Sequence, residues 1–291
     1  MHADEVLTDV PLVRRLLAEQ FPEWAELSLE RVPSSGTDNA LYRLGDDMVV
    51  RLPRIDWAVA GLQRELEWLP RLAPLLPVSV PVPLAEGRPS EDYPWDWAVY
   101  EWLPGENPPL GGDGNSVALA RDLAGLVRAF QRIDIAGPSS RRGLPLASQG
   151  EWTRAALSEL RGTIDTTAAT AAWEEALRTP VWSRPPVWLH GDLFPGNLLV
   201  ERGRLRAVID FALVGMGDPA CDLIAAWSLF PRATREVFRA ELTVDDATWA
   251  RGRGWALSVA LVALPYYRDT NPGFAALARH VLGEVLAELG S

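Results

Sequence analysis

The sequence predicts an α+β chain of two lobes, a small β-rich N-terminal lobe over residues 1–103 and a larger helical C-terminal lobe over residues 104–291. Three observations carry this reading. Short β-rich runs crowd the first hundred residues. A stretch dense in Pro and Gly, PGENPPLGGDGN from Pro104 to Asn115, then interrupts the chain, and beyond it amphipathic helical patterns dominate. At 291 residues the chain can bury a substantial core in one large domain or in two modest lobes.

Taken in order, NALYRL and MVVRLP read as two strands joined by the hairpin signal GDD. Asp56 is placed to cap a helix through WAVAGLQRELEWL, with Val59, Leu62, Leu66 and Leu69 at helical spacing and Pro70 ending it. VPVPLAEGRP is Pro-rich and extended, and WAVYEWL (Trp97–Leu103) reads as a buried strand running into a hinge near residues 101–105. After the linker, SVALARDLAGLVRAFQRI, EWTRAALSELRG and TAAWEEALR are helical. A few short strands surround WLHGDLFPGNLLV, and from PACDLIAAWSLF to the C-terminus the pattern returns to helix. No internal repeat is present.

Composition narrows the function. A hydrophobic fraction of 48% and a mean hydropathy of −0.02 fit a globular protein. No apolar run approaches the roughly 20 residues of a membrane span. The N-terminus MHADEVLTDV lacks a charged-then-apolar leader, and the single cysteine, Cys221, suits a reducing compartment, so the expected location is the cytoplasm. The net charge of −11 argues against nucleic acid and is compatible with a cationic small molecule. Nothing calls for an obligate protein partner. All 28 basic side chains are arginine, so any fixed positive charge falls to Arg.

The chemistry concentrates in HGDLFPGN. Asp192 and Asn197 sit in a loop tightened by Gly191, Pro195 and Gly196, between the apolar segments VWL and LLV. Downstream, Asp210 ends the apolar strand LRAVI, where a carboxylate is costly unless a cation neutralises it. An Asn amide with an Asp carboxylate suits Mg²⁺, which prefers oxygen ligands and shares its shell with phosphate. Asp192 then remains to accept a hydroxyl proton, and a base with a metal is the equipment of phosphoryl transfer.

HGDLFPGN followed by VIDFA resembles the H-G-D-x-x-x-x-N…I-D signature of the aminoglycoside phosphotransferases and related small-molecule kinases, and GDPACDL (Gly217–Leu223) resembles the segment after their metal aspartate. The resemblance runs from about Ser34 to Leu223. It implies a two-lobed protein-kinase-like fold and transfer of the γ-phosphate of ATP or GTP, with Mg²⁺, to a small-molecule hydroxyl. It makes Asp192 the catalytic base, Asn197 and Asp210 the Mg²⁺ ligands, and His190 a scaffold of the loop. In the N-terminal lobe it places Arg51 at the phosphates with Glu65 as its partner, Ser35 and Gly36 in the phosphate loop, and the backbones of Glu101 and Leu103 at the adenine edge. Asp218 and Asp222 read instead as helix caps pairing with arginines.

The chain departs from the family at three places. Arg51 stands where Lys is usual, the phosphate loop has the one glycine Gly36, and Ala212 replaces the Gly common after Asp-x. A guanidinium keeps its charge and grips phosphate bidentately, so the electrostatic role of that position survives. The leading acceptor is an aminoglycoside, met by acids such as Glu151, Glu159, Glu236, Glu241, Asp245, Asp246 and Asp269. A macrolide or a metabolite alcohol, a nucleotide-binding pseudokinase, and a metallohydrolase using His190, Asp192 and Asp210 are the alternatives.

Overall fold

The computed structural model describes residues 5–33, 38–111 and 116–290. Two compact units form, one of Met1–Pro104 with Ala207–Ala212, the other of Gly105–Arg206 with Leu213–Ser291.

The first unit is built on a five-stranded antiparallel sheet of β1 (Leu29–Arg31), β2 (Asn39–Leu44), β3 (Met48–Pro53), β4 (Pro83–Gly87) and β5 (Trp97–Glu101), in the order β1-β2-β3-β5-β4. The β2–β3 hairpin turns at Gly45, whose φ of 59° is a conformation that glycine adopts without penalty. Arg51 pairs with Leu41 on one side and Ala98 on the other, which puts it on the central strand, away from an edge. A helix the sequence pattern had not singled out, α1 (Val10–Gln20), precedes the sheet; Asp9 caps it by accepting from Leu12 N at 2.8 Å. Its Leu12, Val13, Leu16 and Leu17 join the sheet core around Tyr42, Leu44, Val50, Leu52, Trp97 and Val99.

The helix α2 (Asp56–Leu72) corrects two sequence expectations. Ile55 is its N-cap, and Asp56 instead lies in the first turn, where its charge suits the helix dipole. Pro70 does not end it: the ring faces solvent, costs at most one hydrogen bond near the last turn, and the burial of Trp68, Leu69 and Leu72 carries the helix on. The buried stripe is Ala58, Gly61, Leu62, Glu65, Trp68, Leu69 and Leu72, so an acid sits in the middle of an apolar face. The chain returns to this unit at Ala207–Ala212, where Val208 N donates to Ser79 O at 3.0 Å.

The second unit is mainly helical, with α3 (Ser116–Gln131), α4 (Gly150–Glu159), α5 (Thr166–Arg178), α6 (Ala225–Leu229), α7 (Arg232–Leu242), α8 (Asp246–Tyr267) and α9 (Pro272–Leu289). Two short strands, β6 (Val187–Leu189) and β9 (Gly215–Gly217), pair antiparallel and frame the HGDLFPGN loop; β7 (Leu198–Glu201) follows it and lies beside β8 (Arg204–Val208). PACDLIAAWSLF opens as a 3-10 turn, Pro219–Ile224, before α6 begins. Trp173, Trp188, Trp227 and Trp255 are fully buried here, as Trp97 is in the first unit, so the largest indoles are core. Glu288 of α9 fastens the bundle, accepting from Trp227 Nε1 at 2.9 Å and Arg235 Nη1 at 2.7 Å. Among the described residues no helix is long and apolar enough to cross a membrane.

Gly61 is on the buried face of α2 because Ala212 fills the space a side chain would take: a Cβ at Gly61 would lie 2.7 Å from the Ala212 Cβ. Ordinarily Gly→Ala inside a helix gains about 1 kcal/mol. Here Gly61→Ala is expected to destabilise by about 1–3 kcal/mol through overpacking, and Gly61→Ala with Ala212→Gly to recover most of that loss in urea denaturation. A neutral single variant contradicts the packing argument.

Candidate active site

Two clusters of polar side chains occur where apolar packing would be expected, one in each unit. In the second unit, β6 delivers Trp188 and Leu189 to the core and the chain then turns sharply at Gly191, whose φ is 87°. Leu193 and Phe194 are buried and pin the middle of the loop, and a 3-10 turn, Pro195–Asn197, closes it. Asn197 Nδ2 donates to the Asp192 carbonyl at 2.9 Å and to its Oδ2 at 2.8 Å. The amide therefore fixes the Asp192 carboxylate. With both amide protons turned to Asp192, the Asn197 Oδ1 is the oxygen left for a cation.

His190 is fully buried and its Nδ1 accepts from Asp192 N at 3.2 Å. That bond places the ring proton on Nε2 and gives His190 the scaffold position expected of it. The loop is held from beneath by Asp222, whose carboxylate accepts from His190 N at 2.9 Å and Gly191 N at 2.8 Å. Burial pushes the Asp222 carboxyl up from 3.8 to about 6, and the two backbone donors limit the rise. Among the described residues Asp222 pairs with no arginine, contrary to the sequence reading. Asp218 is the cap, accepting from Ala220 N at 3.0 Å, and it pairs with Arg251 at 2.6 Å.

In the first unit the Glu65 carboxylate is fully enclosed and takes four hydrogen bonds. Arg51 Nη1 reaches both oxygens at 2.7 and 2.6 Å, the Tyr100 hydroxyl donates at 2.9 Å, and Phe211 N donates at 2.7 Å. Arg51 also spans to Asp210, Nη2 to Oδ1 at 3.1 Å, while the Asp210 side chain stays 42% exposed. Burial alone would lower the Arg51 pKa, but the Glu65 and Asp210 charges hold it above its ordinary value. Burial raises Glu65, with Arg51 opposing. Asp210 adopts φ 61°, left-handed backbone unusual for a non-glycine residue and often found where function demands strain.

The remaining expected residues are less embedded. Glu101 is exposed at the end of β5, opposite Met48, and Leu103 follows it half-buried. Between them, Trp102 N donates to Asp47 O at 2.6 Å and the Arg43 guanidinium covers the Trp102 ring at 4.1 Å. Ser35 and Gly36, with Ser34 and Thr37, lie outside the described residues. Several acids suggested for a cationic acceptor are already engaged: Glu241 with Arg121 and Arg128, Asp246 with Arg239, Glu159 and Asp269 with Arg268, and Asp245 as the α8 cap. Tyr100 was not singled out from the sequence; its hydroxyl on a buried strand was the available signal.

The Asn197 Oδ1 in the second unit and the half-exposed Asp210 carboxylate in the first are each a hard oxygen donor of the kind Mg²⁺ takes with water and phosphate. Among the described residues no three His, Cys, Asp or Glu side chains cluster as a metal site of their own.

Comparison with known proteins supplies the context. The model of the family described as APH, phosphotransferase enzyme family, matches residues 30–255. No curated protein matches the chain. Among solved structures, the GDP and kanamycin complex of APH(2")-IIia aligns with a TM-score of 0.75 at 19% identity, over 95% of this chain and 99% of that one. The streptomycin-ATP-APH(2")-IIa ternary complex gives 0.63 at 17%, over 95% and 99%. The macrolide 2'-phosphotransferase MphH from Brachybacterium faecium gives 0.62 at 25%, over 95% and 97%. The fold is theirs: a five-stranded antiparallel N-terminal lobe and a helical C-terminal lobe of the kinase-like kind.

Asp222 offers a pH test. Its folded pKa exceeds its unfolded value, so the native state binds the extra proton between about pH 4 and pH 6, and the stability it contributes falls as pH rises through that window. A rise from 3.8 to about 6 corresponds to about 3 kcal/mol. The advantage of the wild type over Asp222→Asn in unfolding free energy is therefore expected to shrink by about that amount from about pH 4 to pH 7. An advantage that is flat or grows contradicts the buried carboxyl.

Proposed function

The chain belongs to the phosphotransferase enzyme family, and from that premise we propose that it moves the γ-phosphoryl group of ATP or GTP to a hydroxyl of a small molecule, an aminoglycoside first. The observation that carries this reading is the clasp of the Asp192 carboxylate by Asn197, on a loop whose backbone donors are fixed by Asp222. A carboxylate held this way can accept the acceptor hydroxyl's proton as its oxygen attacks the γ-phosphorus, without first paying to order itself.

Arg51 grips the α- and β-phosphates in this reading, positioned by Glu65. Ser35 and Gly36 contribute the phosphate loop, and the backbones of Glu101 and Leu103 meet the adenine edge. Asn197 and Asp210 would hold magnesium, which would neutralise charge on the phosphate oxygens. Several observations support nucleotide and acceptor together. One structural neighbour carries GDP with kanamycin and another ATP with streptomycin. The net charge of −11 suits a polycationic aminosugar. A macrolide is the second reading, favoured by the 25% identity to a macrolide 2'-phosphotransferase against 17–19% for the two aminoglycoside-bound neighbours.

Coupled nucleotide consumption over kanamycin, gentamicin, a macrolide, choline and homoserine is the direct test, with turnover expected on an aminoglycoside. Turnover on the macrolide alone moves the chain to the second reading, and nucleotide binding without transfer to any acceptor leaves a pseudokinase. Asp192→Ala is expected to lower kcat by about 10³-fold or more while ADP affinity stays within about twofold. Unchanged turnover removes the base.

A further inference from the structure

Arg51 uses its guanidinium unevenly. Nη1 is committed to Glu65, which is fully buried, at 2.6 and 2.7 Å. Nη2 is tied to Asp210 at 3.1 Å, and that partner is 42% exposed. Nε is buried and has no hydrogen-bond partner among the described residues, although the residue as a whole is only 8% exposed. A cationic N–H is a strong donor, and leaving one dry and unmatched is unfavourable. Nε and Nη2 are also the two parallel donors along one edge of the group, the fork that a phosphate or carboxylate fills with two oxygens. In the present arrangement Nη2 is engaged by Asp210, and Nε has no partner among the described residues.

We propose that Arg51 is an exchange partner between Asp210 and the nucleotide. Without nucleotide, Nη2 holds Asp210 and keeps its carboxylate neutralised. An arriving phosphate takes Nε and Nη2 together, satisfies the orphaned donor, and releases Asp210 to the metal. The weaker and more exposed of the two ion pairs is the one that opens, because Glu65 is fully buried and takes four hydrogen bonds while the Asp210 side chain is 42% exposed. Lysine lacks this division of labour, since its single ammonium is a point charge with no separate edge. The arginine at this position therefore makes free divalent metal a poor ligand of the empty protein and a good one once phosphate is present. That orders binding, with the metal arriving with or after the nucleotide.

This inference rests on the reading above in which Arg51 meets phosphate and Asp210 meets metal, and two separate measurements distinguish the failure of each. Mn²⁺ is titrated by calorimetry or electron paramagnetic resonance into the full chain without nucleotide. Arg51→Ala is expected to bind Mn²⁺ at least about tenfold more tightly than the wild type, corresponding to about 1.4 kcal/mol, and Asp210→Asn in that background is expected to abolish the gain. Because Arg51→Ala strands the Glu65 carboxylate, Arg51→Met with Glu65→Gln, which removes both charges, is titrated alongside and is expected to show the same gain. Equal or weaker Mn²⁺ binding in the folded variants overturns the exchange. In a parallel titration, ADP in EDTA is expected to bind Arg51→Ala at least about tenfold more weakly. Unchanged ADP affinity overturns the phosphate grip itself, and with it the exchange, whatever Mn²⁺ does.

Discussion

A carboxylate cut off from water must find its donors inside the protein, and that constraint shapes both units. Glu65 gathers a guanidinium, a phenol and the backbone N–H of Phe211, the residue next to Asp210. Asp222 gathers the backbone N–H groups of His190 and Gly191, just ahead of Asp192. In each case a buried acid with no chemistry of its own fixes the backbone beside an acid that keeps access to solvent or ligand. Desolvation makes these buried acids costly, and the same cost makes their hydrogen bonds directional and hard to replace. The neighbouring acids, Asp210 and Asp192, inherit that rigidity.

Arginine at position 51 follows the same physics. An enclosed glutamate needs a partner whose charge survives burial, and a guanidinium does so without shifting into the physiological range. It also has enough donors to serve a second carboxylate. The Ala212 departure is likewise absorbed locally: Gly61 gives up its side chain on the facing helix, and the positive φ falls on Asp210 instead of on residue 212. Gly61 and Ala212 are far apart in sequence but adjacent in space, so only the packing reveals that a small residue at one matches the side chain at the other.

Much of this was legible in the residues. The β2–β3 hairpin, the strand Trp97–Glu101 and the long helices follow from periodicity and turn chemistry, and the HGDLFPGN loop stood out because polar groups interrupted apolar runs. What escaped was governed by tertiary contact. The helix runs on past the solvent-facing Pro70 because Trp68, Leu69 and Leu72 are buried, and α1 was hidden in an acidic opening whose Asp9 cap and Leu12, Val13, Leu16 and Leu17 spacing were the available cues. Asp222 looked like a helix cap because its real partners, two backbone N–H groups, are some thirty residues away in sequence. Ser35 and Gly36, expected at the phosphate loop, lie outside the described residues and keep only their sequence argument.

The dependence of the first unit on Glu65 is most directly measured by a double-mutant cycle in folding free energy between Arg51→Met and Glu65→Gln. The account predicts that each single change costs about 3–5 kcal/mol, because it leaves one buried charge unmatched, and that the double change costs well under the sum, with a coupling of about 2 kcal/mol or more. Additive losses would mean that the two charges do not depend on one another, and would contradict the central role given to that enclosed carboxylate.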